Sequence, residues 1–487
     1  MNSYLISSII IYMVAMILIG YYAYKRTTSH SDYMLGGRGL SPGVAALSAG
    51  ASDMSGWLLM GLPGAIFDEG FRAAWIAIGL TLGAYINWLY VAPRLRTFTE
   101  VANNSITIPG YFENRFGDRT RVLRIFSSLV ILIFFIFYIA SGMVAGGVIF
   151  NEVLGFSYST GVLVLVGVTL VYTLIGGFLA ASWTDVVQGM IMMTALVLVP
   201  IVTLITIGGP TEVVTEVRTI DPSMLNLFTG ASAVGIISFL GWGLGYFGQP
   251  HIIVRFMALS SSKGAKKARH IGMSWMVISL LGAVFTGLIG LAYFSQQGMT
   301  IADSETIFIQ LGTILFHPII TGFILSALLA AVMSTISSQL LVTSSSLTDD
   351  LYKTFFKRSA SEKELIFVGR LAVFIVTGCS LSIAWVQPES ILEMVGYAWA
   401  GFGASFGPVV LLSLFWRRMN TWGALSGMIT GAVTVVLWKE FGLGDVLYEI
   451  IPGFAVSVLM IYVVSLITAA PSSKVVEQFD EVKRLSS

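Results

Sequence analysis

Ser48-Ala-Gly50-Ala-Ser52-Asp53-Met-Ser55-Gly56-Trp57 puts hydroxyls, glycines and one carboxylate inside the stretch 44–67, which is otherwise apolar. Within a bilayer every backbone group needs a partner other than lipid, and a charge near the midplane is costly. Such a run therefore marks an interrupted helix whose freed groups face a site. Two other stretches break the same rule. Gly241-Trp242-Gly243-Leu244-Gly245-Tyr246-Phe247-Gly248-Gln249-Pro250 is too rich in glycine for a stiff helix, and Ala331-Val-Met-Ser334-Thr335-Ile-Ser337-Ser338 carries hydroxyls three and four residues apart, on one helix face.

The rest of the chain fits this reading. Of 487 residues 56% are hydrophobic and only 11% charged, against roughly 25% charged in soluble domains, and mean hydropathy is +0.84. A net charge of +1 gives no basis for nucleic-acid binding. One cysteine, Cys379, excludes an intramolecular disulfide or a CxxC zinc site, and His30, His251, His270 and His317 have no metal-ligand spacing. About 20 apolar residues cross the hydrocarbon layer. Thirteen stretches qualify: 3–23, 44–67, 73–92, 123–150, 158–178, 185–208, 229–250, 271–295, 318–347, 366–387, 391–416, 422–439 and 449–470. Of the 27 Lys and Arg residues, 24, Arg255 among them, fall in the connections or tail on one side of that arrangement. Cations are retained on the cytoplasmic side, so the N-terminus is expected outside and the C-terminus cytoplasmic. The loop 348–365 contains Ser361-Glu-Lys-Glu364, a helix-start pattern.

The broken second and seventh stretches are five segments apart, as expected if segments 2–6 and 7–11 are two repeats of opposite orientation. Matching interruptions in two halves point to a transporter's central site. Close packing through glycine is the competing reading, but it does not explain Asp53. Freed carbonyls and hydroxyls suit a hard cation of low charge, sodium above all. The carbonyls of Ala51, Met54 and Ala331 with the hydroxyls of Ser334 and Thr335 would form a neutral shell that a monovalent ion can leave. Asp53 would tune that shell or hold the break by accepting backbone N–H bonds. Asp185, at the expected start of the sixth segment, reads equally as an N-cap or as a functional intramembrane acid. Trp57, Tyr138, Trp242 and Tyr246 could wall a small apolar body, with free N–H groups at a broken helix taking a carboxylate.

Taken in order, these motifs resemble the sodium/solute symporter family, closest to its bacterial proline-carrying members. The resemblance runs from Tyr33-Met-Leu-Gly-Gly-Arg38 through Ala51 to Trp57, Gly176-Gly-Phe-Leu-Ala180, Gly241 to Arg255 and Leu325 to Thr335, and ends at Tyr397-Ala-Trp-Ala-Gly-Phe-Gly403. It implies an all-α membrane protein of LeuT type occupying 1–487 as one transport domain. An extra helix at 3–23 precedes repeats at 44–208 and 229–416; two helices at 422–470 and a cytoplasmic tail at 471–487 follow. It implies sodium at Ala51, Met54, Ala331, Ser334 and Thr335, an essential Asp53, L-proline near Ser55, Gly56, Tyr138, Trp242, Tyr246 and Pro250, and Asp185 affecting coupling. Trp57 and Gln249 join the solute set by adjacency. Position 338 is Ser where the single-sodium members carry Cys, so Asp185, Ser334, Ser337 and Ser338 resemble a second sodium site and the stoichiometry stays open.

The expected activity is secondary active uptake, with sodium and L-proline moving inward by alternating access. The alternatives are a sodium- or proton-coupled carrier of another small solute, with Asp53 as proton relay in the latter, or an ion channel. No nucleophile–base pair or metal cluster supports an enzyme, and no obligatory protein partner is implied.

Overall fold

The computed structural model describes residues 3–26, 30–386 and 390–485. Residue 387 of the expected tenth span, and the chain ends at 1–2 and 486–487, lie outside the described residues. Among those described there is no strand; one bridge, Leu40 with Leu259, ties the start of the second segment to the end of the seventh.

Helix α1 (Ser3–Tyr24) precedes α2 (Pro42–Asp53), which starts on the Ser41 side chain with Pro42 in its first turn and stops at Asp53. The chain resumes in wide helical turns at Trp57–Gly61 and continues as α3 (Leu62–Glu69). Helices α4 (Ala74–Ile86) and α5 (Ala92–Val101) are joined by wide turns at Asn87–Val91. Helix α6 (Ile108–Phe116), capped by Thr107, leads to α7 (Val122–Leu154).

Helix α8 (Tyr158–Ile207) contains both the fifth and the sixth expected segments. They are separated by Gly177 alone, with φ 61° and ψ −162°. A side chain there would be strained by its positive φ, and its Cβ would meet the Tyr33 ring at 2.5 Å. The expected gap at 178–185 therefore closes, and Asp185 lies about two turns inside a helix, which removes the N-cap reading.

Helix α9 (Pro210–Ile220) is amphipathic. The seventh segment is α10 (Ala233–Gly241), a tight 3₁₀ stretch at Trp242–Phe247, a non-helical link at Gly248 and Gln249, and α11 (Pro250–Met257). It runs seven residues past the expected end at 250, so Arg255, assigned above to a cytoplasmic loop, is buried inside the protein.

Helix α12 (Gly264–Gln296) packs on α2, and α13 (Ile307–Leu315) follows a turn at Ser304–Thr306. In that turn Glu305 accepts the N–H groups of Ile391 and Leu392 at 2.9 and 3.0 Å. Helix α14 (Pro318–Ser345) is the central post: every residue from Ile324 to Ser344 is buried. It continues in wide turns to Phe356, so much of the expected 348–365 loop is helical. Ser361 caps α15 (Glu362–Ala384) by accepting the Glu364 N–H, as its pattern predicts. Helices α16 (Ile391–Phe415), α17 (Thr421–Glu440) and α18 (Ile450–Ile467) complete the bundle.

Among the described residues ten helices are long and apolar enough to cross a membrane, and two shorter apolar helices occur at Tyr158–Val171 and Ala233–Phe247. The expected thirteen rests on counting broken segments as single spans. Outward faces such as Ile11, Leu18, Phe367 and Leu466 are exposed and apolar, as a lipid-facing surface requires.

The expected tail is helical as well. Helix α19 (Ser473–Leu485) buries Val475, Phe479 and Val482, one face at helical spacing, against α5 and α6. The Phe479 ring lies 6.2 Å from Phe98, with the Arg94 and Arg115 guanidiniums 5.4 and 5.2 Å away. Arg417 meets Asp480 at 2.8 Å and holds its carboxyl below the ordinary range, but both are well exposed and such pairs contribute little. Phe479→Ala should therefore release α19. Deletion of a buried aromatic costs about 3 kcal/mol, and backbone hydrogen exchange across 473–485 should rise by two orders of magnitude while α14 stays protected. Unchanged exchange would show that Phe479 does not hold the helix.

Candidate functional site

Helix α2 stops because Met54 leaves helical geometry, with φ −85° and ψ 83°. Its N–H still reaches Gly50 O at 2.9 Å, but the Ser55 N–H turns back to Asp53 O at 3.0 Å. That carbonyl also accepts the Trp57 indole N–H at 3.2 Å and the Tyr138 hydroxyl at 3.4 Å. The break is thus held through the backbone oxygen of Asp53 rather than through its side chain. The carboxylate instead accepts the Tyr246 hydroxyl on Oδ2, while Oδ1 is buried without a hydrogen-bond partner. Asp53 therefore joins the second segment to the interrupted part of the seventh, where Tyr246 sits on the 3₁₀ stretch.

The third stretch meets the first break from the other side. Ser334 Oγ donates to Ala51 O at 2.7 Å, a contact between residues 283 positions apart, and lies 3.1 Å from Ala331 O. Thr335 Oγ1 lies 3.1 Å from the same Ala331 carbonyl. Four of the five expected cation donors are thereby linked in one chain of contacts, and the fifth residue, Met54, is buried in the adjoining break. Neutral oxygens of this kind suit a monovalent hard cation.

The aromatic residues expected to form a wall do converge. Trp57 and Trp242 have ring centroids 6.4 Å apart, and Trp242 stacks near Trp399 at 6.5 Å. Tyr246 meets Trp399 edge-on at 5.1 Å. The Trp399 indole N–H donates to Trp242 O at 2.7 Å, and Gln249 Nε2 donates to Trp399 O at 3.1 Å. A Cβ on Gly245 would fall 1.9 Å from the Trp399 indole nitrogen, so glycine there lets α16 approach the break. Tyr138, whose hydroxyl reaches the Asp53 carbonyl, is buried with Ser55 and Gly56, and Pro250 opens α11.

Below these lies a buried charge network that residue spacing did not reveal. Asp185 Oδ2 accepts Ser48 Oγ at 2.7 Å and Arg255 Nη2 at 3.2 Å, and the same arginine nitrogen donates to Ser338 Oγ at 2.6 Å. Arg255 Nε reaches Ser48 Oγ at 3.1 Å. The Asp185 and Arg255 side chains are both completely buried, so removing either one strands a charge in the interior. Of the residues expected at a second sodium site, Asp185 and Ser338 thus converge on Arg255, whereas Ser337 Oγ turns back to Ser334 O at 3.0 Å. Arg255, Ser48, Trp399 and His251 were missed; the His251 ring packs 5.7 Å from Tyr138. A lone arginine in the apolar run 250–257 was the available signal for Arg255.

Residues 33–431 match the family model described as the sodium:solute symporter family. The chain is 66% identical over 466 residues, covering 96% of itself and 98% of the relative, to the high-affinity proline transporter PutP of Bacillus subtilis. It is 54% identical to the osmoregulated proline transporter OpuE of the same organism, over 100% of this chain and 99% of that one. Against the sodium/proline symporter of Escherichia coli the identity is 52%, over 97% and 94%. Among solved structures, a Na+-coupled sialic acid symporter superposes with a TM-score of 0.82 at 23% identity, over 97% of this chain and 99% of that one. The nucleobase-cation symporter Mhp1 gives 0.57 at 15%, over 93% and 99%. These likenesses establish the LeuT-type fold. Family match and full-length relatives together make the chain a multi-pass membrane protein that belongs to the sodium:solute symporter family.

Proposed function

We propose that the chain is a secondary active carrier that couples inward sodium movement to L-proline uptake by alternating access, acting in the cell membrane without an obligatory protein partner and performing no covalent chemistry. The observation that carries this reading is the Ser334 Oγ contact to Ala51 O at 2.7 Å: it brings the oxygens of two distant segments together beside the intramembrane Asp53. Sodium would take the carbonyls of Ala51, Met54 and Ala331 and the hydroxyls of Ser334 and Thr335. Proline would lie against Ser55, Gly56, Trp57, Tyr138, Trp242, Tyr246, Gln249 and Pro250. The repeats would be 44–208 and 229–416, with the N-terminus outside and the C-terminus cytoplasmic.

Sodium bound at the break favours the conformation that also binds proline, and by linkage proline raises sodium affinity by the same factor. One net charge crossing 100 mV yields about 2.3 kcal/mol, enough to concentrate proline about fifty-fold. A single sodium is favoured because the Arg255 guanidinium, on Asp185 and Ser338, already supplies positive charge where a second ion would sit.

The test is uptake of labelled proline into proteoliposomes with an inward sodium gradient and equal pH on both sides. Accumulation should collapse when choline replaces sodium, and unlabelled proline should compete better than other small amino acids. Uptake indifferent to sodium would overturn the reading, and a pH gradient that drives uptake without sodium would favour the proton-coupled alternative, in which Asp53 is the candidate relay.

A further inference from the structure

The approach to α18 belongs to neither interrupted segment, nor to the helix that carries Ser334 and Thr335. Tyr448, two residues before α18, nevertheless reaches the broken part of the seventh segment. Its ring stacks on Trp242 with centroids 5.3 Å and planes 24° apart. Its hydroxyl donates to Gly396 O on α16 at 2.7 Å, and its backbone N–H donates to Ser238 Oγ on α10 at 3.1 Å. One residue is therefore fixed to two helices while its face supports the indole.

The Trp242 backbone is held separately, by the Trp399 indole N–H on its carbonyl. That bond sets where the main chain lies but not the direction of the side chain. Direction is set by what the indole rests on, and the nearest stacked ring is Tyr448, against 6.4 Å for Trp57 and 6.5 Å for Trp399. Helix α16 leaves room for the pair at Gly396, where a Cβ would stand 3.3 Å from Trp242 Cζ2. Offset aromatic contacts of this kind are directional as well as apolar.

We infer that Tyr448 is a positioning residue for solute selection: it holds the Trp242 indole as one wall of the solute site, from a segment outside the interrupted helices. This rests on the proposed transport of proline and gives one of its wall residues a support. Its assigned action on the solute runs through Trp242, on which its ring stacks.

The test compares Tyr448→Ala, Tyr448→Phe, Trp242→Ala and the Tyr448→Ala/Trp242→Ala double variant in proteoliposomes. Tyr448→Ala should raise the half-saturating proline concentration about tenfold, the upper range for an aromatic pair, with the maximal rate within about twofold. Sodium-22 binding without proline should stay at the wild-type value, because that ion sits on other elements. Tyr448→Phe keeps the stack and loses the Gly396 anchor, so its change should be about two- to threefold. In the Trp242→Ala background Tyr448→Ala should add less than about twofold, since side chains acting through one contact are not additive. A maximal rate that falls while half-saturation holds, or full additivity with Trp242→Ala, would reduce Tyr448 to an anchor for α18 and overturn the inference. Should the alanine variant not be recovered folded, Tyr448→Leu fills the volume without an aromatic face and is read in the same way. A wild type indifferent to proline counts against the proposed solute; a responsive wild type matched by Tyr448→Ala counts against Tyr448 alone.

Discussion

Asp53→Ala should abolish sodium-stimulated proline binding while leaving the protein inserted and folded. The break in α2 survives the change, because its main-chain anchors, the Ser55 N–H, the Trp57 indole and the Tyr138 hydroxyl, all land on the carbonyl of residue 53 and not on its carboxylate. What disappears is the negative charge beside a shell of neutral oxygens, together with the acceptor for the Tyr246 hydroxyl. An opposite charge within about 6 Å of a monovalent cation, at an effective dielectric of about 20, is worth about 2.8 kcal/mol or more, or about a hundredfold in affinity. Because the coupling is reciprocal, proline binding at ordinary sodium concentrations should be lost with it. Asp53→Asn separates the two contributions, since an amide can still accept from Tyr246 but carries no charge. It should resemble the alanine variant in its sodium requirement and exceed it in thermal stability. Equilibrium binding of labelled proline across a sodium titration gives the answer, and normal sodium dependence in both variants would remove Asp53 from the ion's environment.

The residues that sequence reading found and those it missed differ in how their cost is visible. Asp53, Ser334 and Thr335 interrupt apolar runs, and a polar group in such a run is expensive wherever it lies, so each stands out alone. The pairing of Arg255 with Asp185 spans 70 positions and joins two helices. Neither residue has a periodic neighbour to announce it, and the apolar run of the seventh segment is expected to end at 250, before Arg255. Asp185 left two readings open because the turn between the fifth and sixth segments was expected to take several residues. Gly177 makes it in one through a positive φ, a conformation that composition does not show. The stripe of Val475, Phe479 and Val482 was present in the tail at helical spacing, but nothing local says that it docks between Phe98 and the cations of α5 and α6. Hydropathy finds the spans, and polar interruptions find the break and the residues proposed to surround the ion. Contacts between distant segments, including the stack of Tyr448 on Trp242, require the fold.

Replacing Ser334 and Thr335 together by alanine should raise the sodium concentration for half-maximal uptake by about two orders of magnitude, with a much smaller effect on the maximal rate at saturating sodium. Each hydroxyl directed at a cation is worth roughly 1.5 kcal/mol, so loss of both gives about 3 kcal/mol, slightly more than a hundredfold. The comparison that isolates this effect is a second pair on the same helix. Ser326 and Thr343 are also buried, and their hydroxyls bond within α14 to Gly322 O at 2.8 Å and Gln339 O at 2.7 Å. Ser326→Ala with Thr343→Ala therefore removes the same atoms from the same buried helix without touching α2. Ser334 differs in reaching across to Ala51 O, so its loss unties the second segment from the ninth as well as stripping an oxygen from the shell. Both consequences weaken sodium and neither acts on the aromatic wall directly; proline half-saturation should accordingly return to within about threefold of wild type once sodium is raised in proportion. If the two pairs depress sodium affinity equally, the hydroxyls serve helix packing, and the contact between the second and ninth segments is no part of the ion's path.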